Sequence, residues 1–351
     1  MQGHAAIRPV RPLLKWAGGK RQLLPVLAEH YPSTFSRYIE PFVGSGAVFF
    51  DLLNSGRLTR SEILLCDVNP DLIGCYRMVR DQTDEVIRAL KTLAREYRDS
   101  GHRCYYDVRD RRFNPARAEL QMRSSGPEVA SRYTPELAAM LIFLNRTGFN
   151  GLFRLNRRGG FNVPAGRYTD PRICDEGNIR AVAGALGREG VSINLSPFDE
   201  TLAGAARGDF VYCDPPYAPL SRTSSFAQYT ADGFSSLDQQ RLQRAVIGAC
   251  RRGASVIVSN SSAAEIRHVY AAPEAVRARL HIRPVPARRA INSLASSRGP
   301  VEELIISNVK AAAALHKVRP RMLKAPGLRA RASGPRAQGS GLGKASGSAE
   351  A

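Results

Sequence analysis

The stretch from Arg37 to Asp67 constrains this chain more than any other. Arg37-Tyr38-Ile39-Glu40 reads as a short strand and Pro41-Phe42-Val43-Gly44-Ser45-Gly46 as a glycine turn. Ala47 to Leu53 follows as a helix, then Ile63-Leu64-Leu65-Cys66 as a second strand ending at Asp67. Strand, glycine turn, helix, strand and acid in that order form the layout of a nucleotide-binding βαβ unit, which commits the chain to a parallel sheet. The pattern resumes far downstream, at Val191-Ser192-Ile193-Asn194, Phe210 to Cys213, a helix from Asp238 to Arg251, Ser255-Val256-Ile257-Val258, and a final strand from Glu303 to Ser307.

Between these halves, Pro70 to about Thr147 shows apolar positions at three- and four-residue spacing, the mark of helices. The clearest runs from Pro135 to Leu144, with Thr134 as its N-cap. Leu152 to Val163 alternates around Arg157-Arg158-Gly159-Gly160 and predicts a β-hairpin. Near the start, Lys15-Trp16-Ala17-Gly18-Gly19-Lys20 is a loop leading into a helix from Gln22 to His30. The expectation is an α/β, Rossmann-like domain built from residues 13–70 and 191–310, interrupted by a mostly helical insertion over 71–190. Residues 1–12 read as a mobile arm, and the Ala/Gly/Ser/Arg/Pro composition of residues 311–351 as a disordered tail.

The 351 residues carry a net charge of +20 and a pI of about 10.3, which favours a polyanionic partner, nucleic acid above all. The last 41 residues hold eight Lys/Arg and one Glu, so the body of the chain keeps most of the excess. The six cysteines are scattered without a CxxC pair. That argues against zinc or a disulfide framework and for a reducing cytoplasm. No apolar run approaches the roughly 18–20 residues needed to span a bilayer.

In the glycine turn, Phe49 occupies the place of a third glycine, so the loop is a poor pyrophosphate cradle and suits a nucleoside without phosphates. S-adenosylmethionine is such a nucleoside, and Asp67 is placed to accept from ribose hydroxyls. A Gly-Ser-Gly alone serves as readily for a plain turn. The second chemical feature is Asp214-Pro215-Pro216-Tyr217 at the exit of the apolar run Phe210 to Cys213. Proline pairs after strands can be mere rigid turns. The functional reading has the Asp214 carboxylate and the Pro215 carbonyl accept both hydrogens of an exocyclic amino group, with Tyr217 stacked on the base. Such a group is out of reach inside a duplex unless the base is flipped out. Carbon methylation of cytosine would call for a cysteine nucleophile, commonly after proline, and no cysteine here follows one.

These segments, in this order, resemble the Dam-type DNA adenine-N6 methyltransferases. Between them lie Asn145-Arg146-Thr147-Gly148-Phe149-Asn150-Gly151-Leu152-Phe153-Arg154 and Phe161-Asn162-Val163-Pro164-Ala165-Gly166-Arg167-Tyr168, similar to that family's DNA-reading segment. The resemblance runs from about Leu13 to Ser307. It implies S-adenosylmethionine as methyl donor, held by Trp16, Lys20, Phe42, Gly44, Gly46, Asp67 and Asp214. It further implies a flipped adenine held by Asp214, Pro215 and Tyr217, with GATC as the target site. Lys15 and Arg154 match residues that contact guanines, Phe149, Asn150 and Leu152 a loop that intercalates, and Pro164 and Tyr168 residues that flank it. Arg and Lys are the favoured readers of guanine in the major groove, and Arg157 and Arg158 can track phosphates. Thr147 departs from the family's usual aromatic, Phe153 from a smaller residue, and the segment from about His102 to Ser131 is longer than usual.

The expected partner is double-stranded DNA, with no metal, no membrane and no obligate protein partner. A monomer working in the cytoplasm at the nucleoid follows. Two other readings compete. An amino-methyltransferase acting on RNA or protein glutamine more often has Asn in place of Asp214 and lacks the insertion. A catalytically silent DNA-binding protein would be free to lose Asp214, Tyr217 and Gly44-Ser45-Gly46.

Overall fold

The computed structural model describes residues 9–16, 20–59, 61–124, 126–218, 234–288 and 300–309. The expected disordered tail, the first eight residues of the arm and Ala17-Gly18-Gly19 of the first loop lie outside them. The strands are β1 (Arg37–Glu40), β2 (Glu62–Asp67), β3 (Val191–Leu195), β4 (Asp209–Cys213), β5 (Ser255–Ser261), β6 (His281–Arg288) and β7 (Pro300–Ser307). They form one sheet in the order β3-β2-β1-β4-β5-β7-β6. β1 lies at the centre of the parallel part, with Ile39 level with Leu64 of β2 and Val211 of β4.

The side chains of each strand alternate between two cores, as a pleated strand dictates. Tyr38, Phe210, Tyr212, Ile257 and Ile305 enter one core. Their neighbours Ile39, Val211, Cys213, Val256, Val258, Leu304 and Ile306 enter the other. That is why β4 is apolar along its whole length, as strands covered on both faces are.

The helices supply the covering. After a short α1 (Leu24–Ala28), α2 (Ala47–Asn54) and α3 (Pro70–Asp81) line the first core. The segment between β2 and β3 continues as α4 (Thr83–Ser100), α5 (His102–Asp107), a π-helical turn (Val108–Phe113), α6 (Asn114–Arg123), α7 (Glu128–Ser131), α8 (Pro135–Thr147) and α9 (Glu176–Leu186). Thr134 caps α8 by accepting from the Leu137 amide at 3.2 Å, as the sequence implies. The opposite core is closed by α10 (Phe198–Ala203), α11 (Ser236–Arg251), α12 (Ala264–Tyr270) and α13 (Pro273–Arg277).

Four expectations need correction. The sheet is mixed, because β7 runs antiparallel to β5 and pairs with an unforeseen β6. Pro284 and Pro286 hide β6 in the sequence, and they are tolerated because β6 lies at the sheet edge, where missing amide donors cost least. The hairpin over Leu152 to Val163 is present but minimal: backbone bonds from Asn156 to Gly160 at 2.8 Å and from Asn162 to Arg154 at 3.1 Å flank an isolated bridge, Leu155 to Phe161, without regular strands. Asn156 accounts for this: its side chain accepts from the Arg158 and Gly160 amides at 2.9 and 3.0 Å, replacing ladder bonds. The helix expected over Gln22 to His30 is a 3₁₀ turn (Lys20–Gln22) followed by the five residues of α1, because Pro25 starts a new helix rather than continuing one. Finally, the last residues of the arm are anchored. Val10 exchanges two 2.9 Å hydrogen bonds with the Asn54 side chain, and Arg11 two of 3.0 Å with Asn178.

Candidate active site

Three carboxylates meet at the C-terminal ends of neighbouring strands: Glu40 ends β1, Asp67 ends β2 and Asp214 follows β4. Strand order reverses here, and the crevice at such a switch point is where open α/β sheets bind ligands.

The turn after β1 is shaped by its glycines. Gly44 and Gly46 adopt φ of +45° and +66°, a region costly to other residues. The chain thereby aims the Gly44 amide at Asp67 Oδ2, 3.1 Å away, while Asn69 donates its amide to Oδ1 at 3.0 Å. Tyr76 of α3 donates its hydroxyl to the Gly44 carbonyl at 2.7 Å and fixes the turn from below. A methyl group at Gly44 would stand 2.9 Å from the indole of Trp16, so the two are in close contact. Trp16 stacks on Phe153 at 5.7 Å. Phe42 turns away from this pocket, its ring against Phe198 and Phe234 in the opposite core.

At the second recess, Lys20 Nζ lies 2.8 Å from Asp214 Oδ1 and 4.5 Å from the centre of the Tyr217 ring. Lys20 is 4% exposed, whereas Asp214 keeps 21% of its side-chain surface open. Tyr217 donates its hydroxyl to Glu303 of β7 at 2.6 Å. Gln239 of α11 donates to the Pro216 carbonyl at 3.0 Å and is itself held by Asn260 of β5. Ser261 donates to the Ala218 carbonyl at 2.8 Å. The proline pair is thus rigid in itself and braced from three directions.

Burial pushes the Asp214 carboxyl up to about 6, with Lys20 opposing the rise and Glu303 adding to it. Burial likewise lifts Asp67 to about 6 against the amides that bond it. Glu40 is raised well above the usual carboxylate range by burial, although Tyr38 donates to it at 2.9 Å. Asp67 and Asp214, both with carboxylate character beside one crevice, repel phosphate. They suit a ligand with neutral hydroxyls and positive charge, and a nucleoside bearing a sulfonium and an ammonium group fits that donor set.

A second cluster begins one residue before Trp16. Lys15 Nζ lies 3.2 Å from the Tyr168 hydroxyl and 4.4 Å from its ring centre. Asn145, 2% exposed at the end of α8, both accepts from the Lys15 amide at 2.8 Å and donates to its carbonyl at 2.7 Å; it also donates to the Gly151 carbonyl at 2.9 Å. Phe149 donates its amide to the Pro164 carbonyl at 2.9 Å, and Leu152 donates its own to Phe149 at 3.2 Å. The Phe149 ring is 46% exposed, and Asn150 beside it holds a left-handed φ of +55°. Arg154 is oriented by Asn162, which accepts from its Nε at 2.8 Å. The sequence reading missed Asn145, Asn162, Tyr76, Gln239 and Glu303. Asn145 did carry a signal, as a polar residue closing an apolar helix. Asn162 stands eight residues from Arg154, inside the quoted segment, whereas Tyr76, Gln239 and Glu303 act across the fold and carried no signal.

A doubly wound sheet with a glycine turn against an acid, and a braced Asp-Pro-Pro-Tyr pocket beside it, defines a methyltransferase of the Rossmann-like class. The chain belongs to the D12 class of N6 adenine-specific DNA methyltransferases, which matches residues 16–285. It is 37% identical to the type II methyltransferase M.MjaIII of Methanocaldococcus jannaschii, over 85% of this chain and 99% of that protein. It is 35% identical to the type II methyltransferase M1.LlaDCHI of Lactococcus lactis, over 85% of this chain and 95% of that one. To the DNA adenine methylase of Escherichia coli K12 it is 35% identical, over 84% and 94%. Membership makes DNA the substrate and S-adenosylmethionine the methyl donor.

Proposed function

We propose that the chain methylates the N6 amine of an adenine flipped out of duplex DNA, within GATC. The observation that carries this reading is the Lys20–Asp214 pair beneath the Tyr217 ring, at the mouth of a crevice bordered by Asp67 and the Gly44 turn. Trp16, Lys20, Gly44, Gly46 and Asp67 would hold S-adenosylmethionine, with Phe42 supporting the turn from the opposite core. That donor, when bound, supplies an electrophilic methyl group.

The chain's own residues prepare the amine. Lys20 occupies Asp214 Oδ1, which leaves Oδ2 to accept one amino hydrogen, while the Pro215 carbonyl accepts the other. Both bonds turn the nitrogen lone pair out of conjugation with the ring. Tyr217, fixed by Glu303, stacks on the purine. Positioning and electrostatics suffice, with no covalent intermediate on the enzyme.

Residues 13–70 and 191–310 act as the catalytic domain and 71–190 as the target-recognition insertion, with 311–351 a basic tail. Lys15 and Arg154 read guanines, Phe149, Asn150 and Leu152 enter the gap left by the flipped base, and Pro164 and Tyr168 flank them. Arg157 and Arg158 grip phosphates. The enzyme works as a monomer in the cytoplasm, marking strands for repair, timing replication or expression, or shielding sites from a restriction nuclease. Relatives named DNA adenine methylase and type II methyltransferase support both kinds of role.

The test is to incubate the protein with S-adenosylmethionine and unmethylated plasmid. The product is then cut with one nuclease specific for methylated GATC and another blocked by that mark. N6-methyladenine found only outside GATC refutes the site; its complete absence refutes the activity.

A further inference from the structure

Arg117 is the one fully buried residue of α6, whose Ala116 and Leu120 are only partly covered. Its guanidinium works in two directions. Nε donates to Asp71 Oδ2 of α3 at 2.7 Å, in a pair whose side chains are 5% and 2% exposed. Nη1 donates to the Gly159 carbonyl, in the turn that presents Arg157 and Arg158. Tyr133 donates to the other oxygen of Asp71 at 3.4 Å. One turn earlier, Asn114 clamps Phe161, donating to its carbonyl at 3.0 Å and accepting from its amide at 2.8 Å.

The basic turn is therefore shaped by Asn156 but located by α6. Through Asp71 it is referred to α3, the helix whose Tyr76 holds the Gly44 turn. A buried ion pair is a poor way to gain stability, since apolar residues of similar size do as well. A guanidinium fork, in contrast, can satisfy a carboxylate and a carbonyl at once, which an ammonium on a flexible stem does not.

We propose that Arg117 is a positioning residue for DNA binding, fixing the Arg157–Arg158 turn against α3 at the height where its cations meet phosphates. This rests on the reading of that turn as a phosphate contact. The carboxylate arm secures Arg117, and the carbonyl arm secures the turn.

Three full-length variants test it: Arg117→Lys, the apolar variant Asp71→Leu/Arg117→Met/Tyr133→Phe, and Arg157→Ser/Arg158→Ser. Melting temperature, kcat, KM for S-adenosylmethionine, and KM for a duplex at several salt concentrations are measured for each. Arg117→Lys keeps a cation beside Asp71 but loses the reach to Gly159. The apolar variant removes both buried charges together with the Tyr133 hydroxyl that Asp71 accepts from, so it should melt close to or above the wild type. Both should raise KM for DNA about tenfold, the share of two phosphate contacts, and lower its salt slope by about one to two. Neither should change kcat or the KM for the donor. An unchanged KM and slope in Arg157→Ser/Arg158→Ser would sink the reading of the turn and this inference with it. If that variant is impaired while both Arg117 variants bind DNA like the wild type, the inference alone falls. An apolar variant that melts well below the wild type would make Arg117 a fold-holding residue and overturn it too.

Discussion

Replacing Lys20 with methionine keeps the buried stem and removes the charge 2.8 Å from Asp214. An opposite charge at that distance holds a carboxylate down by about 1–3 pKa units, or about 1.4–4 kcal/mol. Asp214 already stands at about 6 because burial outweighs Lys20. Without the ammonium it should titrate between about 7 and 9. The sign follows from the chemistry: the ionised carboxylate accepts the amino hydrogen, so activity is lost as pH falls through this pKa. The wild type should lose kcat/KM below about pH 6, and Lys20→Met already below about 7–9. At pH 7.5 the variant with an Asp214 pKa near 9 would keep only about 3% of its carboxylate ionised, and turnover should recover as the pH approaches 9. The assay is methyl transfer from labelled S-adenosylmethionine to a duplex oligonucleotide, read as kcat/KM with both substrates well below saturation, from pH 5.5 to 9.5. Lys20→Arg keeps the charge and should keep the wild-type limb. A Lys20→Met profile that is uniformly lower but still breaks near 6 would refute the claim that Lys20 sets the ionisation of Asp214.

Three further outcomes are expected. Asp67→Asn should change the pH dependence of stability in the absence of donor. Asp67 is raised from 3.8 to about 6, so its stabilising effect is full below 3.8 and lost as pH rises through 6. The variant should therefore gain on the wild type by about 2.5 kcal/mol between pH 4 and 7.5 in denaturant titrations, and parallel curves would refute it. Gly44→Ala combines a φ of +45° with a methyl group 2.9 Å from Trp16, and should cost about 1–3 kcal/mol in melting and raise the KM for S-adenosylmethionine. A wild-type KM there would remove Trp16 from the donor pocket. Tyr217→Phe keeps the ring but strands Glu303, so stability should fall by about 1.5–3 kcal/mol with turnover partly retained, whereas Tyr217→Ala should abolish turnover. Equal turnover in the two variants would argue against stacking.

Much of the catalytic half was legible because its signals are local. An apolar strand, a turn that needs glycine and a carboxylate at the next strand end are each written within a few residues, and β1, α2, β2 and β4 fall where the sequence puts them. The same holds for α8, whose cap and period are contiguous. Misreadings arose where a distant partner overrides local preference. Pro284 and Pro286 argue against a strand until β7 supplies an edge to pair with. Arg157 to Gly160 looks like the tip of a regular two-stranded hairpin until Asn156 takes the amide bonds and α6 holds the turn in place. Nothing local marks Arg117 as buried, because its partner Asp71 lies 46 residues away.

The sequence alone settles which chemical groups are present and in what order along the chain. Carboxylates sit at strand ends, glycines at the turn, and a tyrosine after two prolines, because such pieces are set by backbone sterics and short-range periodicity. Tertiary structure alone decides what those groups face. Lys20 reaches Asp214 only because the 3₁₀ turn that starts at Lys20 packs beside the end of β4, and that contact opposes the burial that would otherwise lift the carboxyl further. Asn145 joins Lys15 to Gly151 only because α8 ends beside the first loop. Proximity across more than a hundred residues has no local signature, and it is what turns a set of motifs into a site.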